Sequence, residues 1–256
     1  MEGIHSDVVT GLIALSEGPL RIDVLFSPAD LEPDSYAGRT FVVIDILRAT
    51  SAIVTALANG ALDFRTVVTV DEALTLARKE DVILCGERRG LPIEGFHLGN
   101  SPREFNREVV GGKRLVMTTT NGTRAIEAAK IGSKVLIGSF LNRRYVVDFL
   151  ASDGGDVVIL CSSLRGRFSL EDTVGAGAIS SCLSGDKADS AIAAERLFEN
   201  YSSNLLQMLK ESYAGRYLTS IGLEDDLPTC ANIDSLRILP YFDFAKGVIW
   251  AAAGEG

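Results

Sequence analysis

The sequence predicts an α/β fold, a three-layer α/β/α arrangement around a mainly parallel or mixed sheet. Three observations carry this reading. Short β-branched runs alternate with stretches of helical spacing along most of the 256 residues, the order that builds a parallel sheet with helices on both faces. The runs Thr40–Ile44 and 156–161 are apolar without alternation, as strands buried on both faces are. Polar turns at Asp45, Gly86-Glu87-Arg88, 118–123 and 161–167 follow such runs, and ligands of open α/β sheets bind at the carboxyl ends of the strands.

Composition narrows the function classes. Hydrophobic residues make up 46% of the chain and glycine occupies 25 positions, which suits a globular protein rich in tight turns. Residues 1–20 carry no strong pattern beyond a short helical stretch around 8–15 and read as an N-terminal extension. Residues 21–256 read as a single domain. The net charge of −9 argues against a nucleic-acid surface. An anionic ligand must then be held by local donors, arginines or a metal. Cys85, Cys161, Cys182 and Cys230 are widely spaced and read as reduced thiols. The first twenty residues contain no Lys or Arg, and no apolar run reaches the length of a membrane span, so a cytoplasmic protein without a membrane partner is expected.

In chain order, 21–26 reads as a first strand and 32–38 as a loop punctuated by Pro33 and Gly38. Thr40–Ile44 is a strand, and helical spacing then runs to a stop at Asn59-Gly60. A short strand over 66–70 and a helix over 72–79 started by Asp71 come next. A strand over 82–85 opens at Gly86 into a long loop to Asn100. Ser101, Pro102 and Glu104 have the spacing of an N-cap, N1 and N3, a helix start that Gly111-Gly112 ends. Lys134–Gly138 and 156–161 are strands around a helix over 142–152. Ser169 with Asp172 resembles a capping box. One long helix is expected over 188–212, with Leu197, Tyr201, Leu205 and Leu209 on one stripe. That stripe reads as core packing, and a stripe at the helix surface would permit a homodimer. A further strand is expected at 237–239, and Asp225-Asp226 reads as a solvated acidic loop.

The turn Thr118-Thr119-Thr120-Asn121-Gly122-Thr123 organises the reading. An apolar strand leads in and a helix leads out. The free N–H groups and dipole of a helix N-terminus, together with hydroxyl and amide donors, form a cradle for an oxyanion such as phosphate. One N-cap needs one such residue, and here five stand within six positions. A shift of 73 residues lays this unit over Val42-Val43-Ile44-Asp45-Ile46-Leu47-Arg48-Ala49-Thr50-Ser51-Ala52-Ile53, with Val43/Val116, Thr50/Thr123, Ala52/Ala125 and Ile53/Ile126 identical. The strand–turn–helix unit therefore reads as an internal repeat, whose first copy places Asp45 and Arg48 where the second has Thr118 and Asn121.

Several side chains could do chemistry. Asp45 ends a buried strand, where a carboxylate calls for a partner or a metal. A salt bridge to Arg48 or a cap for the next helix would also satisfy it. Glu87 and Arg88 sit in a turn too polar for a core. Glu171 and Asp172 open a helix, where Asp172 serves as a cap and Glu171 is the freer ligand. Such hard oxygen ligands suit Mg²⁺, which takes one or two carboxylates with substrate phosphate and water. Only His5 and His97 are present, so a histidine triad is disfavoured. Cys161 and Arg167 have the C-x5-R spacing of cysteine-dependent phosphatases, although Leu160 rather than His precedes the cysteine. Arg165 and Arg167 are anion-binding candidates in either chemistry.

The ordered motifs Val43-Ile44-Asp45-Ile46-Leu47-Arg48-Ala49-Thr50-Ser51, Gly86-Glu87-Arg88, Leu98-Gly99-Asn100-Ser101-Pro102, Thr118-Thr119-Thr120-Asn121-Gly122-Thr123-Arg124-Ala125 and Arg167-Phe168-Ser169-Leu170-Glu171-Asp172 resemble those of the 2-phosphosulfolactate phosphatase (ComB-like) family, over about 25–239. The resemblance implies an Mg²⁺-dependent α/β/α phosphatase that converts 2-phospho-3-sulfolactate to 3-sulfolactate and phosphate, a step in coenzyme M synthesis. It implies a small anionic phosphoester as partner, with Asp45, Arg48 and Glu87 as the catalytic group. The metal would lie at Asp45 with Glu87, Glu171 or Asp172. Thr118, Thr119, Thr120, Asn121, Gly122 and Thr123 would hold the phosphoryl oxygens, and Arg48, Arg88, Arg165 or Arg167 the remaining anionic groups. Cysteine-dependent catalysis at Cys161 and a non-catalytic anion-binding protein are the alternatives. One departure bears on substrate identity. Where a glycine is expected in the loop after Cys161, this chain has Ser162-Ser163-Leu164.

Overall fold

The computed structural model describes residues 20–251; the expected stretch at 8–15 lies outside them. The described chain runs β1 (Arg21–Leu25), a one-turn α1 (Pro33–Tyr36), β2 (Thr40–Ile44), α2 (Ala49–Ala58), β3 (Asp63–Thr66), α3 (Val70–Ala77), β4 (Ile83–Arg88) and β5 (Leu91–Pro92). It continues through α4 (Arg107–Val110), β6 (Arg114–Thr118), α5 (Gly122–Ala129), β7 (Lys134–Gly138), α6 (Arg143–Asp153), β8 (Val157–Cys161), α7 (Leu170–Ser180) and β9 (Asp186–Lys187). The last part holds α8 (Asp189–Tyr201), α9 (Leu205–Glu211), α10 (Tyr213–Ser220), α11 (Asp226–Cys230), β10 (Tyr241–Asp243) and β11 (Val248–Trp250).

These strands form one mixed sheet in the order β5-β4-β6-β3-β11-β10-β7-β2-β8-β1-β9. It consists of two parallel wings, β7-β2-β8-β1 and β3-β6-β4. The antiparallel hairpin β10–β11 joins them, meeting β7 at Tyr241↔Leu136 and β3 at Ile249↔Phe64. Successive strand residues face opposite sides. Phe41 and Val43 of β2 therefore share a core with Leu115 and Met117 of β6 and with α2 and α5. Val42 and Ile44 face a second core with residues of α6, α7 and α8. Helices thus cover both faces, giving the expected three layers. The core around α2 and α5 is common to both wings, which brings the turn after β2 beside the turn after β6.

Several elements differ from expectation, each through a tertiary partner. Strand β3 lies earlier than 66–70 because its ladder with β6 runs from Asp63↔Arg114 to Thr66↔Met117. Helix α3 is started by Thr69, in a capping box with Glu72, rather than by Asp71. Strand β4 continues through Gly86-Glu87-Arg88, since Glu87 and Arg88 pair with Pro92 and Leu91. Ser101 makes no cap; its hydroxyl donates to Asp226 and only a 3-10 turn follows, so α4 begins after its own cap at Asn106. The helix expected over 188–212 is broken, with Asn204 capping α9. Its stripe of Leu197, Tyr201, Leu205 and Leu209 packs into the second core, which agrees with core packing. Residues 237–239 form no strand; pairing begins at Tyr241. Among the described residues no helix is long and apolar enough to cross a membrane.

Candidate active site

Asp45 directly follows β2 and is buried. The Thr50 hydroxyl closes its turn, accepting from Asp45 N–H at 3.0 Å and donating to Asp45 O at 2.9 Å. The repeat-equivalent Thr123 does the same work in the second turn. Its hydroxyl accepts from Thr119 N–H at 3.3 Å and donates to Thr119 O at 3.2 Å. Asp45 Oδ1 accepts from Ala49 N–H at 3.1 Å, at the first turn of α2. On its other side lies the first turn of α5, so close that a Cβ on Gly122 would stand 2.7 Å from Asp45 Oδ2. The carboxylate thus sits between two positive helix ends. Burial nevertheless pushes its pKa up from 3.8 to about 6. The hydrogen bond from Ala49 pulls it down, and the charges of Glu87 and Glu171 push it further up.

The expected salt bridge from Asp45 to Arg48 does not form. Arg48 pairs instead with Asp226, Nη1 to Oδ2 at 2.6 Å, and Nη2 donates to Gly90 O at 2.6 Å. Asp226, expected in a solvated loop, is 2% exposed. Glu87 Oε1 accepts from Thr120 N–H at 2.6 Å. Its Oε2 accepts from Gly90 N–H at 2.7 Å and from the Thr120 hydroxyl at 3.2 Å. Glu87 therefore binds the β4–β5 hairpin to the turn after β6.

Asp45, Arg48 and Glu87 line a cavity of about 620 Å³ together with Thr120, Asn121, Arg165 and Arg167. The structure brings together these members of the expected site and separates others. The Thr118 hydroxyl accepts from Arg88 Nη2 at 2.9 Å and donates to Val68 O. Thr119 and Thr123 bond each other, Thr123 N–H donating to Thr119 Oγ1 at 3.0 Å. Arg88 and Thr119 line a neighbouring cavity of about 360 Å³ with Arg124, on the far side of Thr120 and Asn121. Only Thr120 and Asn121 of the expected cradle face the larger cavity. Gly122 contributes by its lack of a side chain. Asn121 does not cap α5; its Oδ1 accepts from Arg165 N–H at 3.3 Å. The loop carrying Arg165 and Arg167 is a tight turn closed by Leu164 N–H to Arg167 O and Arg167 N–H to Leu164 O. Among the described residues neither arginine forms an ion pair.

Glu171 and Asp172 lie behind the cavity, not on its wall. Ser169 caps α7 by accepting from Asp172 N–H, but the Asp172 carboxylate is not a cap. Its Oδ1 accepts from Ile46 N–H at 2.9 Å and Oδ2 from the Ser162 hydroxyl at 3.1 Å. Oδ1 thus holds the turn after β2 and Oδ2 the loop after β8, so both Asp172 oxygens are engaged within the protein. Burial pushes Asp172 well above the usual carboxylate range, helped by the charges of Asp45 and Glu171. Burial also raises Glu171. Among the described residues no three His, Cys, Asp or Glu side chains form a metal cage by themselves.

The cysteine alternative fails on geometry. Cys161 is fully buried in the second core, and burial pushes its thiol well above its ordinary value, so neither a thiolate nor access to the cavity is provided. His97 is structural, its Nδ1 accepting from Leu84 N–H at 2.9 Å. Two site residues escaped the sequence reading. Asp226 gave no local sign of its role. Asn100 belonged to a quoted motif but was given no role; it is 4% exposed, lines the cavity, and its buried Oδ1 has no hydrogen-bond partner.

Fold and cavity define an α/β protein with a polar cavity at strand carboxyl ends and a buried carboxylate on its wall. Comparison with known proteins agrees. The model of the family described as 2-phosphosulpholactate phosphatase matches residues 25–244. A Thermotoga maritima protein named "Probable 2-phosphosulfolactate phosphatase" is 43% identical over 220 residues, which is 86% of this chain and 94% of that one. Proteins of the same name from Symbiobacterium thermophilum and Clostridium novyi are 42% and 37% identical over 224 and 233 residues, covering 84% and 89% of this chain and 96% and 99% of theirs. The chain belongs to the 2-phosphosulfolactate phosphatase family, an enzyme family of phosphoric monoester hydrolases.

Proposed function

We propose that this chain hydrolyses 2-phospho-3-sulfolactate, or a related phosphorylated 2-hydroxy acid, to the free hydroxy acid and inorganic phosphate, with Mg²⁺ as cofactor and in the cytoplasm. A role in coenzyme M biosynthesis belongs to the same proposal. The observation that carries it is Asp45, a buried carboxylate between the first turns of α2 and α5, on a cavity that Arg48, Glu87, Thr120, Asn121, Arg165 and Arg167 also line.

The donors present fit a hard divalent cation. Asp45 and Glu87 line the cavity, the charges of Glu87 and Glu171 raise the pKa of Asp45, and Asn100 Oδ1 is a buried oxygen without a partner. One or two carboxylates with substrate and water are what Mg²⁺ takes. Held by Asp45 and Glu87, it would neutralise the phosphoryl oxygens and polarise the reacting group. The chain's own residues do the rest. Arg165 and Arg167 pair with the anionic oxygens, and Thr120 and Asn121 at the start of α5 orient the phosphoryl group. Water oxygen forms the new P–O bond, the ester P–O bond breaks, and the proton given up by the water is the one the departing alkoxide takes up.

The test is phosphate release from a panel of phosphorylated hydroxy acids, with and without EDTA, in wild type, Asp45→Asn and Cys161→Ser. EDTA and Asp45→Asn should each abolish release, the substitution by on the order of 10²–10⁴-fold, while Cys161→Ser retains it. Activity that resists EDTA and disappears in Cys161→Ser would overturn the proposal.

A further inference from the structure

The cavity has a second, apolar wall that the phosphatase chemistry leaves unexplained. Besides its charged groups the cavity is lined by Leu47, Leu164, Phe168, Tyr213, Tyr217 and Leu218. Phe168 is 53% exposed, Tyr213 61% and Tyr217 37%. A soluble protein has little reason to leave three aromatic rings on one wall unless something covers them. The wall is also well held. Tyr213 and Tyr217 are one turn apart on α10 and share a face. The Tyr217 hydroxyl donates to Arg89 O at 2.9 Å, which ties α10 to the β4–β5 hairpin. Phe168 meets Phe26 edge to face, with ring centroids 5.6 Å apart at 64°. Leu164 is fixed by its two backbone bonds to Arg167.

A sulfonate gains nothing from such a surface. It is a permanent anion, and setting it against carbon and aromatic faces strips its water without returning hydrogen bonds. The volume of about 620 Å³ lies within the range of roughly 300–1,000 Å³ that holds drug-sized ligands, more than a three-carbon phosphoester fills. The loop that departs from the family pattern, Ser162-Ser163-Leu164, is the one that brings Leu164 to this wall.

We infer that the preferred substrate is a 2-phosphorylated carboxylic acid whose third carbon bears an apolar or aromatic group in place of the sulfonate, with that group lying on the Phe168–Tyr213–Tyr217 wall. This rests on the phosphomonoesterase reading above and takes its related-hydroxy-acid branch in place of 2-phospho-3-sulfolactate and the coenzyme M role.

The test compares kcat/KM for phosphate release, with Mg²⁺ present, from 2-phospho-3-phenyllactate, 2-phospholactate and 2-phospho-3-sulfolactate. The phenyl compound should exceed the sulfonate by about tenfold or more. Tyr213→Ser should lower the phenyl-to-methyl ratio about tenfold, chiefly through KM, and Tyr213→Phe should keep it. A sulfonate substrate as good as the phenyl one in wild type, or a ratio indifferent to Tyr213→Ser, overturns the inference. Calorimetric binding of the same three compounds to the Asp45→Asn protein reads the wall without turnover. Tightest binding of the phenyl compound supports the inference even if nothing is hydrolysed by wild type, in which case the phosphatase reading falls and the wall stands. Equal binding of phenyl and sulfonate compounds overturns it.

Discussion

Arg48 and Asp226, 178 residues apart in the chain, meet with Nη1 and Oδ2 separated by 2.6 Å and with neither side chain more than 3% exposed. Gly90 O holds the other nitrogen of the guanidinium, and the Ser101 hydroxyl holds the other oxygen of the carboxylate. Helix α11 and the β4–β5 hairpin thereby aim a charged group into the cavity. Removing one partner leaves a buried charge uncompensated, at a cost of about 3–5 kcal/mol. Asp226→Ala should therefore lower stability to urea by that amount and cut phosphate release. In Arg48→Met/Asp226→Leu, most of the stability should return while activity stays low. A double variant as unstable as Asp226→Ala would show that the ion pair is not what the fold depends on.

That pair also marks the limit of what sequence reading could reach. The strand–turn–helix units around Asp45 and Thr120 were legible because strand, turn and helix lie within about a dozen residues, and period and capping chemistry act locally. The roles of the side chains depended on distant partners. Ser101 has the local pattern of an N-cap, but Asp226 takes its hydroxyl. Asp172 sits where a capping carboxylate belongs, yet it braces Ile46 and Ser162. Glu87 stands out locally as a carboxylate in a polar turn, but nothing local shows that it binds the Thr120 turn. The apolar wall was invisible for the same reason, since Phe168 and Tyr213 come together only when α10 reaches the loop after β8.

Ala49 and Gly122 hold the same position in the two repeat units, 73 residues apart, and they face each other. A Cβ on Gly122 would lie 2.5 Å from that of Ala49 and 2.7 Å from Asp45 Oδ2. Gly122→Ala should cost about 1–3 kcal/mol through overpacking and displace the Asp45 carboxylate. Adding Ala49→Gly removes the first clash and leaves the second. Thermal unfolding should show stability recovering in the double variant, while phosphate release remains at least about tenfold below wild type. Joint recovery of both would mean that the glycine serves helix packing alone.

Asn100 gives the opposite separation. Its buried Oδ1 has no hydrogen-bond partner among the described residues, so Asn100→Ala removes no bond seen there and relieves an unpaired polar group that costs about 1–3 kcal/mol. Partial compensation by a small void leaves the expected stability within about 1 kcal/mol of wild type. Activity should fall, because the side chain lines the cavity and its free amide is available to substrate, water or metal. Urea titration beside steady-state kinetics checks this. A large stability loss with unchanged kinetics would make Asn100 a structural residue.

The pH dependence of stability follows from three buried carboxyl groups, Asp45, Glu171 and Asp172, all raised by burial. For Asp45 the rise is from 3.8 to about 6. Over that interval the folded protein keeps a proton that the unfolded chain has released, so the folded state binds more protons and its stability falls as pH rises. The contribution is fully present below about pH 4 and is lost through about pH 6 for Asp45, on the order of 2–3 kcal/mol. Glu171 and Asp172 add losses of the same sign. Metal-free protein in EDTA should therefore unfold at a lower temperature at about pH 8 than at about pH 5. Asp172→Asn, which cannot ionise, should flatten the dependence, and Mg²⁺ should raise stability more at the higher pH, where the carboxylates it neutralises are charged. A metal-free protein whose unfolding temperature rises between those pH values would contradict the burial of these groups in their protonated form.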